Sequence, residues 1–176
     1  FSINTKLNSN LNLDSLLDII IDTALSFANA ERGFLVLSEN ESIDVKVARN
    51  MEKKRVEDSI NKISKKIISK VMKTGTPIIS NDILGDNRFD EYTSVMNLKL
   101  KSIFCIPFKI KDRIIGAIYL DNTLQRGVFN DLDKKLIQTF ADQAAVAIEN
   151  ARLFTELERS KREIEEFNVK LEKTVI

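Results

Sequence analysis

From Asn130 to Thr174 the chain contains no Gly and no Pro, and its apolar pattern changes character halfway along. Leu132, Leu136, Ile137, Phe140, Ala144, Ala147 and Ile148 are spaced for a helix lying on a globular core. Heptads then take over, with Asn150, Leu157, Ile164 and Leu171 at one seam position and Leu153, Ser160, Phe167 and Thr174 at the other. A helix over the whole run would be roughly 65–70 Å long, about twice the width of a small domain, so it must leave the domain in which it begins. With Leu157 at position a, Glu156 falls at g and Lys161 at e of the next heptad, placed to pair across a parallel dimer. Glu158–Arg162 and Glu166–Lys170 add i,i+4 pairs in the favourable order. The competing reading is a lone amphipathic helix folded back on its own domain. The seam from Leu153 onward is narrow, as a two-helix contact requires, and this favours the dimer. Asn150, Ser160 and Thr174 weaken such a rod while selecting one register.

At 176 residues, 43% apolar and 30% charged, the chain suits one domain with a proper core plus an extension. No apolar run approaches the roughly 20 residues needed to cross a bilayer, and no secretory leader pattern stands at Phe1. A net charge of +1 gives no general drive toward nucleic acid or anionic membrane. The complete lack of histidine removes Ser-His-Asp and Cys-His catalysis and imidazole metal sites. The lone Cys105 cannot form an internal disulfide, so a reducing, cytoplasmic setting is expected.

Asn12 or Asp14 can cap a helix whose buried face is Leu13, Leu16, Leu17, Ile20, Ala24 and Phe27. Two short β-type runs follow at Gly33–Leu37 and Ile43–Ala48. A second helix, from about Ser59 to Thr74, buries Ile60, Ile63, Ile67 and Val71, and Gly75 with Pro77 ends it. Pro77–Ser80 reads as a short strand. Asn81 to Lys99 is a long connection, of the kind that covers or contributes to a site. Lys101–Ile110 and Arg113–Asp121 form a hairpin turning at Lys111–Asp112. Both parities of Ile103–Phe108 and of Ile114–Leu120 are apolar, so both faces of these strands must be covered. The terminal helices can cover one face, and the second helix with the long connection the other, where a cavity could form. Pro107 withholds a ladder donor, which predicts a bulge or the end of pairing there.

The stretch SIFCIPFKIKDRIIGAIYLDNTLQRGVFNDLDKKLIQTFADQAAVAIENARLF, Ser102 to Phe154, resembles the C-terminal half of a GAF domain, most nearly those of bacterial signalling proteins. The helix opening at Leu13, the strand after Glu31–Phe34 and the turn Gly75–Pro77 fit the N-terminal half. The resemblance covers roughly residues 12–155, and ADQAAVAIENA is its most specific run. It implies an α/β (α+β) fold: a central antiparallel sheet with helices on both faces, and a small-molecule pocket opposite the terminal helices. It also implies a regulatory role, with a cyclic nucleotide or another small metabolite as ligand. Bilin and most haem versions need Cys or His at positions that this chain does not supply. Of the cyclic-nucleotide pattern, Asn122, Phe129 and Asp133 are kept, whereas Thr123 stands for its Lys and Lys134 for its Glu. The motif's Lys–Asp ion pair therefore cannot form in its usual arrangement. Aligned on the shared hairpin, the family's pocket positions fall near Thr93, Met96, Leu100 and Tyr119. Ile79, Asp82, Phe89 and Tyr92 join them by their place in the covering segment.

Tyr119 is either a polar-tipped pocket wall or a core aromatic with a satisfied hydroxyl. Cys105, with no cation or helix N-terminus nearby in sequence, reads as a buried inert thiol. Lys62, Lys65, Lys66, Lys70 and Lys73 share a face of the second helix, but without interleaved aromatics they read as a solvated face rather than a nucleic-acid contact. Asp82, Asp86, Asp90 and Glu91 read as turn and capping residues with no acid–base partner set.

The expected organisation is a lead-in at 1–11, a GAF-type sensor domain at 12–155 and a coiled-coil signalling helix at 156–176. The domain is expected to form a parallel homodimer and to lack catalysis of its own. Neither nucleic acid nor membrane is an expected partner, and no metal is expected. Its output is expected to pass to an effector further along the chain: a sensor kinase, a nucleotide or diguanylate cyclase, or an enhancer-binding activator. The alternative is a ligand-free dimerisation module.

Overall fold

The structure, a computed structural model, describes residues 12–39, 42–50, 62–83, 101–122 and 131–174. The elements run α1 (Leu13–Ala28), β1 (Arg32–Glu39), β2 (Ser42–Asn50), α2 (Lys62–Thr74), β3 (Ile78–Ser80), β4 (Ser102–Ile110), β5 (Arg113–Asn122) and α3 (Asp131–Thr174).

Local chemistry sets the boundaries. The Asn12 side chain accepts from Ser15 N at 3.3 Å and its carbonyl from Leu16 N at 3.0 Å, which starts α1. Asn29 ends it in the left-handed conformation, at φ 49°. Gly75 takes φ +70° and its N–H bonds Val71 O at 2.8 Å, closing α2 as its sequence predicts. The hairpin turns at Lys111–Asp112, with Lys111 at φ 56°.

The five strands form one antiparallel sheet in the order β2-β1-β5-β4-β3. Register shifts fall between Leu35 and Val36 against β2 and between Phe108 and Lys109 against β5. The second sits one residue past Pro107. β3 stops pairing at Cys105, so β4 is an edge on that side where proline occurs, and the missing donor is tolerated there.

Both sheet faces are covered, as the doubly apolar strands require. Leu35, Leu37, Phe104, Ile106, Phe108, Ile118 and Leu120 pack with α1 and α3 in one cluster. Phe34, Val36, Ile103, Cys105, Ala117 and Tyr119 pack with Ile67, Ile68 and Val71 of α2 in the other. Each fully enclosed Leu, Ile or Phe contributes about 1.5–3 kcal/mol, so two layers of core are available to a modest domain.

Two expected core faces differ in the structure. On α1 Phe27 is 45% exposed, and Ile21, Leu25 and Ala28 complete the buried stripe instead. On α3 Leu132 and Leu136 are 64% and 43% exposed, while Ile137, Ala141, Ala144, Ala145, Ile148 and Ala151 are buried and Phe140 packs against them. The reason is that α3 carries two apolar stripes, and Leu132 and Leu136 belong to the outward one. Ile60 lies outside the described residues.

Candidate functional site

Strand alternation brings one set of side chains to the sheet face beneath α2. Arg32, Phe34 and Val36 come from β1, Ala117, Tyr119 and Asp121 from β5, and Ile103 and Cys105 from β4. Register places Arg32 opposite Asp121, Phe34 opposite Tyr119, and Tyr119 also opposite Cys105. The floor is apolar, and its polar end is one connected network.

That network is built around Asp121, whose side chain is 1% exposed. Arg32 Nε donates to Asp121 Oδ1 at 2.8 Å and Oδ2 at 3.0 Å, and Arg32 Nη2 donates to Oδ2 at 2.7 Å. Tyr119 Oη donates to the same Oδ2 at 2.8 Å. A carboxylate this enclosed is tolerable only because a forked guanidinium and a hydroxyl saturate it. Burial alone works against the Arg32 charge, but the hydrogen bonds and charge of Asp121, with a smaller part from Tyr119, hold its pKa above the usual value. The Arg32 guanidinium carbon lies 5.5 Å from the Phe34 ring centre, and Phe34 stacks on Tyr119 with centroids 5.7 Å apart. The charge pair is thereby seated on an aromatic pair.

Next to it, Glu31 N donates to Asn122 Oδ1 at 2.8 Å. Among the described residues Ser102 Oγ and Asn122 Nδ2, buried at the same end of the sheet, have no hydrogen-bond partner. Cys105 is fully enclosed, and burial pushes its thiol pKa well above the ordinary value, which suppresses the thiolate a nucleophile needs. Among the described residues no group of His, Cys, Asp and Glu is arranged to hold a metal ion.

Of the residues singled out from sequence, Tyr119 stands on this face, 0% exposed. Ile79 packs in the cluster of the terminal helices, on the other side of the sheet. Its neighbour Ile78, opposite Cys105, faces α2 instead. Asp82 is exposed just beyond β3. Phe89, Tyr92, Thr93, Met96 and Leu100 lie outside the described residues. Arg32, Phe34 and Asp121 went unnoticed in sequence. Their only signal is a charged residue at the outer end of each of two apolar runs, and joining those ends requires the register.

A second surface runs along α3. Leu132, Leu136, Val146 and Leu153 continue, at alternating three- and four-residue steps through Thr139, Gln143 and Asn150, into Leu157, Ile164, Phe167 and Leu171. The apolar members are between 43% and 65% exposed. The heptad spacing of exposed apolar side chains thus reaches back to the first turn of the helix, ahead of Asn150 where the sequence pattern begins.

A family model for the GAF domain matches residues 12–148. The chain belongs to the GAF family. It is 30% identical over 88 residues to hybrid signal transduction histidine kinase G of Dictyostelium discoideum, covering 50% of this chain and 3% of that kinase. The chain spans only between 3% and 14% of the length of the curated relatives it matches, which are signalling proteins. Among solved structures, part of a methyl-accepting chemotaxis protein superposes with a TM-score of 0.64 at 21% identity, covering 86% of this chain and 98% of that one. Free methionine-R-sulfoxide reductase from Neisseria meningitidis, solved with its substrate, gives 0.63 at 12% identity, covering 86% of each chain. Likenesses at these identities establish the GAF fold. Such domains are typically regulatory. No helix among the described residues is long and apolar enough to cross a membrane.

Proposed function

We propose that this GAF domain is a small-molecule-sensing regulatory module that forms a parallel homodimer and passes the state of its head along α3 to an effector. That effector is a sensor kinase, a nucleotide or diguanylate cyclase, or an enhancer-binding activator. The observation that carries the reading is the outward stripe of α3. It keeps one heptad register from Leu132 to Leu171, past the end of the buried face, and leaves eight large apolar side chains exposed: Leu132, Leu136, Val146, Leu153, Leu157, Ile164, Phe167 and Leu171. A helix with this stripe is stable at such length only against a partner, and a second copy supplies the same register. A ligand acts by its differential affinity for two states of the head. Cyclic nucleotides and other planar metabolites are the classes to try first, because the floor beneath α2 ends in the Phe34–Tyr119 stack.

A ligand-free dimerisation module is the second reading. The specific observation favouring it is that Tyr119 is fully enclosed with its hydroxyl already given to Asp121. No catalytic step is assigned to the domain: its one thiol is enclosed, and the reductase likeness concerns the fold alone.

Sedimentation equilibrium tests the assembly, and a monomer at all working concentrations overturns it. Calorimetric titration with cyclic AMP, cyclic GMP and a metabolite panel tests sensing. Saturable heat that Tyr119→Ala weakens supports the sensor, and silence across the panel favours the module.

A further inference from the structure

Strands β1 and β5 connect the polar network to the place where α3 leaves the domain. At one end of the pair stand Arg32, Asp121 and Tyr119. At the other stand Ser38 and Glu39, closing β1, and Arg113, opening β5, and all three touch α3. Arg152 Nη2 donates to Ser38 O at 3.4 Å and lies 3.8 Å from Glu39 Oε1. Arg113 Nη2 donates to Glu149 Oε1 at 2.8 Å. Glu149 and Arg152 are three residues apart, hence on one side of the helix. They flank Ala151, the last buried residue of α3.

The two strands are paired from Arg32 to Leu37 of β1, ending one residue short of Ser38. Their register runs without a shift from Arg32–Asp121 to Leu37–Gly116, whereas β1–β2 and β4–β5 each contain one. At Gly116 the strands approach so closely that an added Cβ would stand 2.3 Å from Val36 O. The ion pairs themselves are partly exposed, Arg113 by 64% and Glu39 by 43%, so they add little stability. Their value is geometric: two attachments one turn apart fix a direction, where one would leave a pivot.

We propose that the β1–β5 ribbon couples the Arg32–Asp121–Tyr119 network to the exit of α3, with Glu149 and Arg152 as positioning residues that set the direction of the stalk. The inference rests on reading α3 as the output of the domain. A change that loosens the network at one end of the ribbon then reaches the first exposed turn of α3 through these two attachments, not through the α3 core face.

Hydrogen exchange on the full chain tests it as a double-mutant cycle. Tyr119→Phe perturbs the network by removing one hydroxyl, and Arg113→Gln with Arg152→Gln severs the attachments. Tyr119→Phe is expected to speed exchange of amides 152–158 about fivefold when the attachments are intact, and less than about twofold when they are cut. Equal acceleration in both backgrounds, or none in either, overturns the proposal. If Tyr119→Phe does not fold, Arg32→Lys replaces it, read by the same criterion. Sedimentation of the same samples separates the two ideas. A monomer showing the fivefold difference removes the dimer and keeps the coupling, whereas a dimer showing equal effects removes the coupling alone.

Discussion

The two halves of α3 are one uninterrupted helix with one outward apolar stripe, yet they are held by different means. Up to Ala151 the helix has a second face. Ala141, Ala144 and Ala145 let it approach the sheet and α1 closely, and Ile137 and Ile148 fill the space between. Beyond Arg152 that face is gone, and the described side chains are exposed apart from a half-buried Glu158. The first half is stabilised by its own domain, and the second has only propensity, i,i+4 pairs and whatever meets its seam. The lesson is that a seam pattern and a core pattern can share a helix, and only the second ends with the domain.

The sharpest way to break this comparison is a pair of substitutions two residues apart. Ile148→Ala, on the 0% exposed face, is expected to cost the domain about 2–5 kcal/mol in urea unfolding. Val146→Ala, 51% exposed on the seam, is expected to stay within about 0.5 kcal/mol for the monomeric domain. Similar losses would mean that the two faces are not distinct. Next in size, Leu157→Lys combined with Ile164→Lys is expected to weaken self-association at least about a hundredfold by sedimentation, from two buried charges per helix. The same change should leave the main unfolding transition of the head in place, and an unchanged dimer would reject the seam. Tyr119→Phe removes one hydroxyl from the network of the head and is expected to cost about 1–2 kcal/mol in unfolding, the worth of one hydrogen bond to an enclosed carboxylate. Stability unchanged within error would mean that the network can do without that hydroxyl.

The smallest effect lies at the junction of the halves. The hydrogen bond and charge of Lys46, with Arg152 adding less, hold the Glu39 pKa below the ordinary carboxylate value. A depressed carboxylate contributes stability above its unfolded pKa and loses it as pH falls through the folded one. The attachment of Arg152 to Glu39 is therefore expected to persist at neutral pH and release only in acid, below the ordinary glutamate value. A carbon-detected NMR titration of Glu39 checks this, and a midpoint at or above that value contradicts it.

Features decided within a few residues were readable in advance. A cap at Asn12 or Asp14, of which the structure uses Asn12, Gly75 before Pro77 as a stop and the Lys111–Asp112 turn all depend on local backbone chemistry. The two-sided burial of β4 and β5 was equally legible, because alternation reports it directly. What depends on register was not. Arg32 and Asp121 are 89 residues apart in sequence, and nothing local says that they meet. Ile79 and Ile78 exchange faces by one step of a three-residue strand, a choice fixed only by the pairing with β4. Leu132 and Leu136 suited either stripe of α3 until the position of the sheet chose between them.

The order of strands carries a consequence for biogenesis. Of the described strands, the last to leave the ribosome is β5, and it occupies the centre of the sheet. Until it arrives, β2–β1 and β4–β3 are separate fragments, each with a bare rim able to capture another nascent chain. Premature termination before residue 113 would thus leave a sticky, half-assembled product, and prompt translation through the hairpin is what protects the polypeptide from its own siblings.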